Sequence, residues 1–183
     1  HPTVVTGVVS AVGQRVESAA GHALHGMIQT DGPTAPGAAG GPLVDATGAV
    51  IGISTDVADG PALSFGYATP IDLAHRVAEQ ILRTGHMDRG WLGIECEDLP
   101  AAQAREMGVP GGAVVRLVAA GSPAATAGLH ANDVITEIDD QPLTSASALV
   151  VALLDHHAGD RVAIVYWHLG QRIERTVSLA AHP

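Results

Sequence analysis

The residues of this chain best placed to do chemistry are glycines. Gly37-Ala38-Ala39-Gly40-Gly41-Pro42 is a Gly/Pro-rich turn that runs directly into an apolar strand, Leu43-Val44. Glycine adopts positive φ without steric cost, so such a turn lets several backbone N–H groups converge on one point. That is how an anion hole is built, and a developing oxyanion is what such a hole stabilises. No side chain in the stretch carries a nucleophilic or titratable atom. The second chemical feature is a set of ten histidines. His22/His25 and His156/His157 have spacings a metal could use, but no Cys or carboxylate completes a ligand set beside them. No metal and no cofactor are expected. At about pH 5–6 the histidines would offset much of the negative charge.

The elements that must position these groups are bounded by the bulk numbers. At 183 residues the chain allows one large domain or two small ones. With 46% hydrophobic and 15% charged residues it can bury a proper core. A formal charge of −10 argues against nucleic acid and anionic membrane as partners. Cys96 is the one cysteine, which excludes an internal disulfide. No run of 18 apolar residues is present to span a membrane. The chain opens His1-Pro2, with no initiator Met and no signal peptide, as expected of a processed piece of a longer protein. The basic residues are all Arg, and Asn132 is the single Asn, which reads as the codon bias of a GC-rich genome.

Residues 3–12 are β-branched and predict a strand, followed by a polar Gly/Ala/His stretch from Gln14 to Gly26. Leu43–Asp45, a Thr47-Gly48 turn and Ala49–Ser54 predict a hairpin, and Leu63–Ala68 a further short strand. A helix over 70–84 has clear punctuation. Thr69 is placed to cap it, Pro70 suits its first turn, and Gly85 is a left-handed stop. Ile71, Ala74, Val77, Ala78 and Ile81 form its apolar stripe. A domain boundary is expected near residue 88. Trp91–Ile94 reads as a short strand, Leu99–Met107 as a helix, Ala113–Val118 as a strand, and Ser122-Pro123 as the start of a brief helix ending at Gly128. Asp133–Ile138 is a strand closed by an Asp139-Asp140 turn. Ser145 or Ser147 caps an amphipathic helix through about Asp155. Arg161–Trp167 and Arg172–Leu179 make a hairpin.

The order strand, strand, short helix, strand, long helix, two strands describes a small, partly open barrel. Gly121-Ser122-Pro123-Ala124-Ala125-Thr126-Ala127-Gly128-Leu129, with Asn132-Asp133-Val134-Ile135, resembles the signature of bacterial PDZ domains. Asn132 replaces a turn glycine, which Asn can do because it tolerates the left-handed region. This resemblance implies a domain over 88–183 that binds a protein C-terminus as an added strand. The family's carboxylate-holding segment falls on Trp91-Leu92-Gly93-Ile94, with the Leu92 and Gly93 N–H groups facing the carboxylate. Val150, Val151 and Leu154 are the pocket walls implied on the long helix, against the plainer alternative of core packing.

Together the landmarks resemble the HtrA/Deg family, a trypsin-like serine protease domain followed by PDZ. They are Thr6–Ser10, Ile28–Asp31, Pro36–Val44, Gly48–Ile53, Phe65–Pro70 and Arg89–Ile94. The implied fold is mainly β with helices. Residues 1–87 match the second β-barrel of the chymotrypsin-type double barrel with its C-terminal helix, and 88–183 a PDZ domain. The family's nucleophile position is occupied by Ala39, beside Gly37 of the oxyanion hole. Ile53-Ser54-Thr55 would lie along a substrate strand and Gly66 near the specificity pocket. The barrel carrying the family's His and Asp is absent, so no triad can form and no peptidase activity is expected of this chain alone. The approach to Ala39 departs from the family's Thr-Asp-Ala-Ala-Ile-Asn-Pro-Gly-Asn-Ser at several positions, which favours natural degeneration over a single engineered change. The expected function is therefore a silent, protease-derived sensor of protein C-termini or unfolded segments. The alternative is part of, or an inactivated form of, a genuine HtrA-type endopeptidase in protein quality control. Pairing with a missing first barrel or homo-oligomerisation is implied, as is an extracytoplasmic location in the periplasm or cell envelope, anchored in some members by a segment outside this chain.

Overall fold

A computed structural model describes residues 4–18, 22–32, 34, 37–55, 65–87 and 89–181. The chain divides into two compact units, His1–Met87 and Asp88–Pro183.

Unit 1 holds β1 (Val9–Glu17), β2 (Ala23–Thr30), β3 (Pro42–Val44), β4 (Val50–Thr55), β5 (Gly66–Pro70) and α1 (Ile71–Thr84). Its five strands form one antiparallel sheet in the order β1-β2-β5-β4-β3. The first strand lies further along than the sequence predicts, and the polar stretch 14–26 supplies both arms of the β1–β2 hairpin. Its polarity is consistent with the result: β1 is exposed on most residues of both faces, and the ladder is repeatedly irregular, with left-handed Gly13 paired to left-handed Gly26. Of the strand predicted over 63–68, Leu63 and Ser64 lie outside the described residues.

Helix α1 begins one residue later than expected and is not capped by Thr69. Its N-cap is Pro70, without a side-chain bond. Thr69 belongs to β5, where it pairs with Ile53, and its hydroxyl lies 3.3 Å from that of Thr55. Strand pairing has claimed the residue that local sequence would make a cap. Gly85 does end the helix, at φ 81°. The buried face is also rotated from the predicted stripe. Leu73 and Gln80 are buried and Ala74 and Val77 half-buried, whereas Ile71, Ala78 and Ile81 are exposed.

Unit 2 holds β6 (Gly90–Trp91), β7 (Ile94–Asp98), α2 (Ala101–Met107), β8 (Ala113–Val118), α3 (Pro123–Thr126), β9 (Val134–Ile138), β10 (Gln141–Pro142), α4 (Ala146–Leu153), β11 (Arg161–His168), β12 (Gln171–Ser178) and β13 (Ala180–Ala181). The sheet β12-β11-β9-β8-β7 is antiparallel, β10 joins β9, and β13 pairs with β6. Two hairpins turn on paired left-handed residues, Asp139-Asp140 (φ 46° and 60°) and Leu169-Gly170 (φ 47° and 80°). Two successive positive φ values match the right-handed twist of the strands they join. The core gathers Leu92, Val115, Ile135, Ile138, Leu149, Val162, Ile164 and Tyr166. At about 1.5–3 kcal/mol per fully buried aliphatic side chain, this cluster is the main stabilising element of the unit.

Candidate functional site

The glycine loop is held from both ends. Gly37 and Gly40 are left-handed, at φ 81° and 84°. The Gly41 N–H donates to the Ala38 carbonyl at 2.9 Å, closing a tight turn. Gly40 N–H donates to Ser54 O at 2.7 Å, and Ser54 N–H to Gly41 O at 2.8 Å, which fastens the turn to β4. In a trans peptide the N–H points opposite to the preceding carbonyl. Because Ala38 C=O faces into the turn, the Ala39 N–H faces out of it, at an exposed residue. The loop thus presents an outward donor and a methyl group at Ala39. Pro33 and Pro36, on the approach to the turn, lie outside the described residues.

Ser54 of β4 and Gly66 of β5 are each fixed by close neighbours. Ser54 has both backbone groups engaged by the loop, and Thr55 lies opposite Tyr67 of β5. Gly66 is glycine because of crowding. A Cβ there would strike the Gly32 carbonyl and come within 2.7 Å of Thr30 Oγ1.

In unit 2 the segment predicted as one strand is broken. Trp91 ends β6, Ile94 starts β7, and Gly93 turns the chain between two sheets at φ 83°. Leu92 is buried in the core rather than lying at a pocket mouth. The Leu92 carbonyl accepts from Ala124 N–H at 3.0 Å and the Gly93 carbonyl from Ala119 N–H at 2.9 Å. By the same trans-peptide rule the Gly93 and Ile94 N–H groups point away from those partners. A Cβ on Gly93 would collide with Ser122 Cβ and lie 3.1 Å from the Trp91 ring.

Helix α4 packs on β7 and β8. Ala146 and Leu149 are in the core, with Ala148, Ala152 and Leu153 packed against it. Val150, Val151 and Leu154 are half-buried and belong to neither set. At 100° per residue they fall within one stripe about 100° wide, beside the core face. The helix start is doubly capped. Ser145 Oγ accepts from Ala148 N–H at 3.0 Å, and Asp98 Oδ1, at the end of β7, accepts from Ala146 N–H at 2.8 Å. Ser147, the other candidate cap, is buried within the helix. Asp98 was not legible as a site residue, because nothing local marks the 48-residue reach to Ala146.

His156 and His157 face different carboxylates. His156 Nε2 lies 3.0 Å from Asp139 Oδ2, and His157 Nδ1 lies 3.5 Å from Asp160 Oδ2. Each therefore has its own carboxylate partner. The Asp160 carboxyl is held below its usual range, chiefly by the His157 backbone N–H. Asp45 is likewise lowered, first by the Thr47 hydroxyl and then by the Thr47 and Ala49 N–H groups.

The two units define a portion of a trypsin-like peptidase joined to a PDZ domain. Residues 1–53 match the trypsin-like peptidase domain family and residues 90–179 the PDZ domain family. Over nearly its whole length the chain is similar to HtrA-type proteases. Over 99% of its length it is 30% identical to a probable periplasmic serine endoprotease, DegP-like, of Brucella suis biovar 1, and 33% identical to one of Pseudomonas savastanoi pv. phaseolicola. It spans 36% and 38% of those relatives' lengths. The HtrA-type protease AlgW in its structure with a tripeptide superposes with TM-score 0.74 at 33% identity, covering 99% of this chain and 61% of that one. The corresponding AlgW structure with a decapeptide gives 0.68 at 34% identity, covering 99% and 56%.

Proposed function

We propose that this chain is a catalytically silent recognition module that binds the carboxyl-terminal end of an extended peptide between β7 and α4. The observation that carries the reading is the left-handed Gly93 between two peptide planes whose carbonyls are taken by Ala124 and Ala119, so that the Gly93 and Ile94 N–H groups lie on the opposite sides of those planes. In this reading those donors hold the ligand carboxylate, with Trp91 and Leu92 fixing the segment. Ile94 opens the strand on which the peptide adds, and Val150, Val151 and Leu154 receive its apolar side chains. The test is fluorescence polarisation with labelled peptides ending in a free apolar residue, beside the same peptides amidated. Micromolar binding that amidation weakens at least tenfold is expected. No binder better than about 1 mM, near −4 kcal/mol, would refute the reading.

Silence follows from Ala39, whose methyl group cannot attack a carbonyl. Ala39→Ser in this chain is expected to leave casein uncleaved, since the nucleophile would lack a base and its orienting carboxylate. A second reading, part of an endopeptidase, is favoured by the retained turn at Gly37–Pro42 with its outward Ala39 N–H. In that reading Gly37 and Ala39 supply the oxyanion donors. A longer chain carrying His and Asp upstream, with Ala39→Ser, would then cleave casein. The names of the curated relatives support placing the chain outside the cytoplasm, in the periplasm or envelope. Fractionation that leaves the tagged full gene product in the cytoplasm would overturn that placement.

A further inference from the structure

We propose that His130, Asp133 and His168 form a surface site for a single divalent transition-metal ion, with zinc the ion their donors suit best. These are the one group of three metal-ligating side chains gathered in this way among the described residues. The inference is independent of peptide binding at α4.

The sequence builds two of the ligands into one turn. Asn132 adopts φ 73° and reverses the chain between His130 and Val134. The His130 N–H donates to Asp133 Oδ2 at 2.8 Å, and the Asp133 N–H donates back to His130 O at 3.2 Å. The turn is thus locked by its own side chain, with one Asp133 oxygen committed to the backbone and the other turned toward His168 Nδ1. The third ligand arrives from a distance. β11 pairs with β9 so that Trp167 lies opposite Val134, which places His168 beside Asp133. His168 Nδ1 is 2.7 Å from Asp133 Oδ1, and the His130 and His168 rings sit 5.1 Å apart, tilted at 41°.

All three donor atoms lie within 4.8 Å of one another. A tetrahedral zinc with ligands at about 2.0–2.1 Å holds them about 3.3 Å apart. The Asp133–His168 pair must open by a few tenths of an ångström and His130 must swing inward. His130 is exposed, so that swing meets no packing. Asp133 is 3% exposed and cannot turn away. The arrangement therefore has one rigid carboxylate, oriented by a backbone N–H in the way outer-shell partners orient metal ligands. It has one half-buried imidazole and one exposed imidazole on the solvent side. Two nitrogens, one oxygen and an open position for water are a zinc-type set. Calcium and magnesium require more oxygens than the site has. An ion here would tie the turn before β9 to the tip of the β11–β12 hairpin.

The experiment uses the full 183-residue chain, freed of metal with EDTA and titrated calorimetrically with zinc chloride, with thermal melting in parallel. One zinc per chain at micromolar affinity is expected, with a rise of several degrees in the melting temperature of unit 2 and no response to millimolar magnesium or calcium. His130→Ala and His168→Gln should each weaken this event at least tenfold, while His156→Ala with His157→Ala should leave it unchanged. His130→Ala alters an exposed side chain, so it keeps the test sound if His168→Gln disturbs folding. Zinc binding that is absent at 100 micromolar zinc, or that is equally tight in His130→Ala, would overturn the proposal and leave a hydrogen-bonded Asp133–His168 pair.

Discussion

Gly93 is the residue on which the peptide-binding reading turns. Its φ of 83° is one that an alanine enters only at a cost, and its missing Cβ is the space Ser122 occupies. Gly93→Ala should destabilise unit 2 by about 2–4 kcal/mol, combining left-handed strain with overpacking, as read from urea denaturation. Peptide binding should fall further than the stability loss explains, because the donors themselves move. Asp45 is a second residue with a distinct expectation. Bonds from Thr47 and Ala49 hold its carboxyl below the usual value of 3.8. A carboxyl lowered in the folded state contributes stability above its unfolded value, and loses it as the pH falls through about 3.8 and below. Asp45→Asn should therefore lower the melting temperature of unit 1 at pH 7, and the difference from the native chain should shrink as the pH falls below 3.8. A constant difference between pH 7 and pH 2.5 would remove the carboxylate from the account.

Among the elements, α4 shows how a groove wall is set. Its start is fixed by Ser145 from its own sequence and by Asp98 from the end of β7. Loss of a helix cap costs about 1 kcal/mol. Ser145→Ala and Asp98→Ala should each cost about that much. Only Asp98→Ala should also weaken peptide binding severalfold, because it alone joins the helix to the strand that the peptide would extend. Equal effects of both variants on affinity would show that the groove does not depend on this tie. Helix α1 teaches a different lesson. Ile71, Ile81 and Leu82 are 37%, 45% and 87% exposed, although the sequence stripe assigns two of them to the core. Periodicity identifies a helix with an apolar side, but it cannot say which of two adjacent apolar stripes meets the sheet.

Across the molecule the two units differ in what they bury. Among the described residues, unit 1 buries Met27, Ala68 and Leu73 as its hydrophobic side chains, while unit 2 has the extended cluster around Ile135 and Tyr166. In unit 1, Val4, Val8 and Val12 are 83%, 65% and 69% exposed. Exposed apolar surface of this kind invites association. We predict that the chain melts in two steps, unit 1 first. We also predict that light scattering of the full chain shows self-association, which residues 88–183 alone lack. A single melting transition, or a strictly monomeric full chain, would argue that unit 1 is complete without a partner.

The sequence alone determined whatever depends on residues close together in the chain. It marked the glycine turn at 37–42, the left-handed stop at Gly85, the turn at Asn132, the cap at Ser122 and most strands of the second unit. It also showed that no side chain in the turn at 37–42 bears a nucleophilic atom. Tertiary structure decided what depends on pairing across long separations. It recruited the polar 14–26 stretch into a hairpin, took Thr69 from a helix into a strand, and divided Trp91–Ile94 between two sheets. It also carried His168 across to Asp133, 35 residues away in sequence. Local preferences are worth tenths to about one kcal/mol per residue. Ladder bonds and burial summed over a sheet exceed that, so where the two disagree the sheet prevails.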